Sequence, residues 1–117
     1  MEEYLYKDES YKIIGLLLEV HKNLGKGFSE IVYKDAFEYE LRENNIPFER
    51  EKEFCVNYKN TILPHKFYAD FVIYDKIVLE IKTIECFNAN HYNQCLNYLK
   101  KFQKIGSPYL WILMLFP

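Results

Sequence analysis

Apolar residues at Ile13, Ile14, Leu16, Leu17, Leu18, Val20 and Leu24 follow a mostly helical spacing. They predict a largely buried helix from about Glu9 to Leu24, closed by Gly25. Gly25-Lys26-Gly27 reads as a turn, and Ser29 suits an N-cap with Glu30 in the first helical turn, where a carboxylate favours the macrodipole. That second helix runs to about Asn44, before Asn45 and Pro47. The period then changes. Phe54, Val56 and Tyr58 alternate with Cys55 and Asn57 ahead of a turn at Lys59-Asn60. Lys66 to Tyr74 reads as a strand, Tyr74-Asp75-Lys76 as a turn, and Ile77 to Thr83 as a strand with Ile77, Leu79 and Ile81 on one face. Asn88 to Lys104 reads as a helix, broken at Gly106-Ser107-Pro108, and the continuously apolar run from Tyr109 to Phe116 suits a buried final strand. The predicted order is α-α-β-β-β-α-β: an α/β (α+β) fold with one sheet flanked by helices, as a single domain over residues 1–117.

The composition supports a packed core. Half of the 117 residues are hydrophobic and 18% are aromatic, which excludes a disordered chain. The formal net charge of −2 and a pI near 5.9 are not those of a protein that grips nucleic acid by bulk electrostatics. Any such contact needs a local basic patch or a bound metal. Cys55, Cys86 and Cys95 are odd in number and lack a CxxC spacing, so reduced structural thiols are expected rather than zinc or disulfides. The opening residues are acidic and polar, unlike a signal peptide, and the apolar stretch from Tyr109 to Pro117 is too short to span a bilayer. A cytoplasmic protein without membrane contact is expected.

The residues that carry chemistry are Asp70 and Glu80-Ile81-Lys82. If the hairpin turn centres on Asp75, Asp70 and Glu80 oppose each other on one face and Lys82, two residues on, shares it. The opposite face carries Phe71, Ile73, Ile77, Leu79 and Ile81. Two adjacent carboxylates repel unless a cation lies between them. Magnesium, a hard cation taking oxygen ligands, would polarise a phosphate and lower the pKa of a bound water. A neighbouring lysine can act on that water and offset phosphate charge. From the hairpin alone, a solvent-facing salt-bridge ladder accounts for these residues at least as well. The following helix adds weight: Gln94 and Tyr98 share a helical face with His91, and a Gln and a Tyr together can orient a phosphate or a water.

Asp, then Glu-x-Lys, then Gln-x-x-x-Tyr resembles the PD-(D/E)XK nuclease superfamily. Gly27-Phe28-Ser29-Glu30-Ile31-Val32-Tyr33 further resembles the signature of the GxxExxY protein family, and Glu19 to Gly27 looks like its opening helix and turn. The resemblance runs from about Ile13 to Leu99. It implies a restriction-endonuclease-like core and a Mg²⁺- (or Mn²⁺-) dependent nuclease. Asp70 and Glu80 would be metal ligands with the Ile81 main-chain carbonyl, Lys82 the catalytic lysine, Gln94 and Tyr98 a supporting pair, and Glu30 the extra acid beside the metal. The ending differs from the family's usual one, since no Asn precedes Phe116.

Other residues have plainer readings. Tyr33 and Phe37 are expected to pack helix on sheet, and His21 to be a partly buried structural residue. His65 lies in a loop. Asp35, Glu38, Glu40 and Glu43 form an acidic solvated face, and Lys100, Lys101 and Lys104 complement a helix C-terminus. Two functions follow: hydrolysis of DNA or structured nucleic acid, or a non-catalytic module of the same fold that binds protein or nucleic acid. A domain this small covers little nucleic acid, so a homodimer or a larger partner is expected.

Overall fold

The structure is a computed structural model that describes residues 6–84, 99–103 and 109–116. Helix α1 spans Lys7–Leu24, with Asp8 and Glu9 in its first turn and Lys22 in its last, each sign at the end the macrodipole favours. Ile13, Leu16, Leu17 and Val20 form its buried stripe. The helix stops at Gly25, whose φ of 68° lies in the left-handed region and whose N–H donates to the His21 carbonyl (2.8 Å). Helix α2, Glu30–Glu43, starts after Ser29, which takes the extended N-cap conformation without a side-chain cap bond. Its buried residues are Tyr33, Lys34, Phe37 and Leu41.

Among the described residues seven strands follow: β1 (Phe48–Phe54), β2 (Asn57–Tyr58), β3 (Thr61–Ile62), β4 (Phe67–Ile73), β5 (Ile77–Thr83), β6 (Leu99–Gln103) and β7 (Leu110–Phe116). Five of them build one mixed sheet in the order β1-β4-β5-β7-β6, in which β5 and β7 are parallel and the other pairs antiparallel. β2 and β3 form a separate ribbon between β1 and β4. The α+β class is as expected. Alternate residues Ile77, Leu79 and Ile81 of β5 and Leu110, Ile112, Met114 and Phe116 of β7 meet the buried stripes of both helices in the main core. A smaller apolar cluster gathers Ala69, Val72 and Val78 with Phe54, Phe67, Tyr109 and Trp111.

Three boundaries differ from expectation. Leu99–Gln103 is a strand pairing with β7, not the end of a helix, so Lys100 and Lys101 do not complement a helix dipole. Cross-strand pairing outweighs the local helical pattern there. The first strand begins at Phe48, earlier than the apolar alternation marks, because the polar run Glu49 to Glu53 pairs with β4 along the sheet edge. Residues Val56 to Tyr58 leave that sheet for the small ribbon. The final strand is alternately rather than uniformly buried. Cys55 is an exposed thiol. Among the described residues, no helix is long and apolar enough to cross a membrane.

Candidate functional site

The turn after β4 decides which residues meet. Tyr74 (φ 57°) and Asp75 (φ 53°) take left-handed conformations in a three-residue connection, and the Lys76 N–H donates to the Ile73 carbonyl (3.0 Å). Ile73 therefore opposes Ile77, Val72 opposes Val78 and Phe71 opposes Leu79, the register expected for a turn centred on Asp75. The Cα pairing stops at Phe71–Leu79, although β4 continues back to Phe67 along β1 and β5 continues to Thr83 along β7. The two strands part at the next pair, Asp70 and Glu80.

Side chains bridge this fork. Asp70 Oδ2 accepts the Ile81 N–H (2.8 Å), and Glu80 Oε1 accepts the Asp70 N–H (3.3 Å). Each carboxylate thus takes a backbone donor that a continued ladder would have satisfied with a carbonyl. β1 is irregular at the same level. Glu51 has a φ of 54°, and regular pairing skips it between Arg50–Phe71 and Lys52–Ala69. Phe71 and Ile73 belong to the helix-covered core, whereas Phe67 and Ala69 belong to the smaller cluster, so the alternation of β4 slips at Asp70. Shared strand parity is therefore not what joins Asp70 to Glu80; they meet across the opening of the fork.

From α2 a third group enters. Lys34 Nζ donates to Asp70 Oδ1 (2.9 Å) and lies 3.4 Å from Glu30 Oε2. Asp70 and Lys34 are both buried, at 6% and 8% exposure. Burial works against the Lys34 charge, but Asp70 and Glu30 outweigh it and hold the ammonium above its ordinary value. Glu80 is shifted in the opposite sense to an ordinary carboxylate. Burial first, then the Asp70 charge and a hydrogen bond to Asp70 that only the protonated acid can donate, push it up to about 7, against the opposing pull of the Asp70 N–H and Lys82.

The sequence motif around Gly27 also acquires a physical role. Gly27 has a φ of 99°. The Tyr33 hydroxyl donates to the Gly25 carbonyl (2.7 Å) and accepts the Phe28 N–H (3.3 Å), while its ring stacks on Phe116 with centroids 4.3 Å apart and planes 5° from parallel. Tyr33 therefore ties the turn to the last strand and fixes the start of α2, from which Glu30 and Lys34 reach the fork.

The structure brings Asp70, Glu80, Ile81 and, through Lys34, Glu30 into one neighbourhood. Lys82 is exposed on β5, close enough for its charge to act on Glu80. Gln94, Tyr98 and His91 lie outside the described residues, as do Cys86, Cys95 and Lys104. His21 is half-buried against the Phe116 ring (centroids 6.1 Å apart), the structural placement its spacing predicts. Lys34 is the residue that sequence reasoning missed. Its only sign was a lysine between Tyr33 and Phe37, on the otherwise apolar stripe of α2.

A divalent cation fits this donor set on chemical grounds. The two carboxylates are hard oxygen donors held together by the fork, and the Asp70 charge, which adds to burial in raising Glu80, is one that a cation between them would offset. Among the described residues, no cluster of three or more His, Cys, Asp and Glu side chains converges on a single point, so Asp70 and Glu80 are the side-chain pair to consider.

A model of the PD-(D/E)XK nuclease superfamily matches residues 7–110. Comparison with curated proteins and with solved structures finds no match.

Proposed function

Since the chain belongs to the PD-(D/E)XK nuclease superfamily, we propose that it is a metal-dependent phosphodiesterase acting on DNA or structured nucleic acid, and a member of the GxxExxY family that its Gly27–Tyr33 motif resembles. The observation that carries this reading is the pairing of buried Asp70 with half-buried Glu80 at the fork of β4 and β5, with Glu80 raised to about 7. Asp70, Glu80 and the Ile81 carbonyl would hold Mg²⁺ or Mn²⁺, which when bound supplies Lewis acidity toward a phosphate and a water. The protein's own groups do the rest. The Ile81 N–H orients Asp70, and Lys82, at the exposed mouth of the fork, holds or deprotonates the attacking water and offsets charge on the phosphate. Gln94 and Tyr98 are proposed as the pair that orients substrate beside it. We place the activity in the cytoplasm, with a second copy or a larger partner extending the contact to nucleic acid.

One observation favours the non-catalytic alternative: Lys34 already satisfies Asp70 without a metal. Cleavage and Mn²⁺ binding measured together separate the two. Lys82→Ala is expected to retain metal binding and lose about a hundredfold or more in turnover, whereas Asp70→Ala loses both. A wild-type protein that cuts no DNA or RNA substrate with either metal would establish the binding module instead.

A further inference from the structure

We propose that Lys34 takes the place of a second cation, so that the chain binds a single divalent ion between Asp70 and Glu80 and Glu30 is not among its ligands. This rests on the metal-dependent reading above and refines it. Metal-assisted phosphoryl chemistry uses either one ion or two ions about 3.5–4 Å apart. Among the described residues, the carboxylate placed to share a second ion with Asp70 is Glu30. The Lys34 ammonium occupies the space between them, 2.9 Å from Asp70 Oδ1 and 3.4 Å from Glu30 Oε2.

This is not a loose surface pair. The Lys34 side chain is 10% exposed and that of Asp70 8%. Removing one partner of such a pair leaves a buried charge uncompensated, which is far more costly than separating a solvated pair. The backbone that carries it is fixed, because the preceding residue, Tyr33, is fully buried and stacked on Phe116, and the ammonium itself is held by Asp70 and Glu30. Charge balance points the same way. When all three are ionised around a bound cation, Asp70, Glu80 and Glu30 carry three negative charges, which Lys34 and one divalent ion neutralise. A second divalent ion would leave the interior of the fork strongly positive, with the exposed Lys82 adding to the excess.

Glu30 then has a positioning role. It helps to fix the ammonium that holds Asp70, and does so through Lys34 rather than through the metal.

The test is Mn²⁺ stoichiometry and affinity by calorimetric titration of the full chain, with circular dichroism and melting to verify folding. Wild type is expected to bind one ion per chain. Glu30→Gln should keep that stoichiometry with affinity within about threefold, because no ligand is lost. Lys34→Ala should admit a second ion, and the Lys34→Ala/Glu30→Gln double variant should lose it again. Two ions on the wild type would overturn this inference while leaving metal dependence intact, and so would a loss of about tenfold or more in Glu30→Gln. No ion bound by folded wild type would overturn the metal-dependent reading and this inference together. If Lys34→Ala does not fold, the wild-type stoichiometry and the Glu30→Gln affinity decide the question by themselves.

Discussion

Glu80 is a carboxylic acid whose surroundings make its charged form unfavourable, and that has a measurable consequence for folding. Its native value of about 7 lies above the unfolded value near 4.5. Between those limits the native state holds more protons than the unfolded chain, so the contribution of Glu80 to stability falls as pH rises. The loss is about 1–3 kcal/mol once solvent screening of a half-buried group is counted. Thermal melts at pH about 5 and about 8 should show the wild type less stable at the higher pH, and Glu80→Gln should narrow the difference. Mn²⁺ added at the higher pH should restore part of the lost stability to the wild type but not to Glu80→Gln, because an ion that binds only the native state stabilises it. An unchanged pH response in Glu80→Gln would remove Glu80 as its source. Asp70 and Glu80 were legible as a neighbouring pair because the turn around Asp75 sets them at the same level of one hairpin, although strand alternation is not what joins them. Lys34 was not, because its meaning depends on which strand lies beneath α2.

At the scale of elements, the three-residue turn sets the register of the site. Deleting Asp75 while the three-residue turn is kept would draw Ile77 into the turn, set Ile73 opposite Val78 and bring Asp70 opposite Ile81. Because one residue of slip exchanges the faces of a strand, the deletion should remove Mn²⁺ binding and lower stability together. Asp75→Gly is the control. Glycine accepts the φ of 53° without strain, so stability should hold within about 1 kcal/mol of wild type or rise, with metal binding retained. Denaturant unfolding and Mn²⁺ titration of both variants check this, and a deletion that still binds metal normally would mean that the turn does not set the register. Tyr74 to Lys76 could be read as a turn from composition alone, and β5 was placed at its observed bounds. The strand at Leu99–Gln103 was not legible, because its pairing with β7 is a contact with residues later in the chain that no local pattern reports.

For the molecule as a whole, the last strand supports the site from a distance. Phe116 is fully buried and stacks on Tyr33, which in turn holds the turn at Gly25 and the start of α2. Phe116→Ala removes that ring from the core and should cost about 3–5 kcal/mol in chemical denaturation. Phe116→Leu should cost markedly less, since it keeps most of the volume. If Phe116→Ala were to cost under about 1 kcal/mol, α2 would have to be held by other contacts.

The sequence by itself determined the helix stripes, the apolar faces of the strands, the turn around Asp75 and the carboxylates that flank it. These follow from periods of 3.6 and 2 and from local turn chemistry, which act over a few residues. Tertiary structure alone decided that β4 and β5 part at Asp70 and Glu80, that the alternation of β4 slips opposite Glu51, and that Lys34 reaches Asp70 from a helix 36 residues earlier in the chain. Those outcomes depend on which elements pack together and on where a buried charge finds its partner. That is a balance of desolvation and pairing across the whole fold, and no local pattern of residues encodes it.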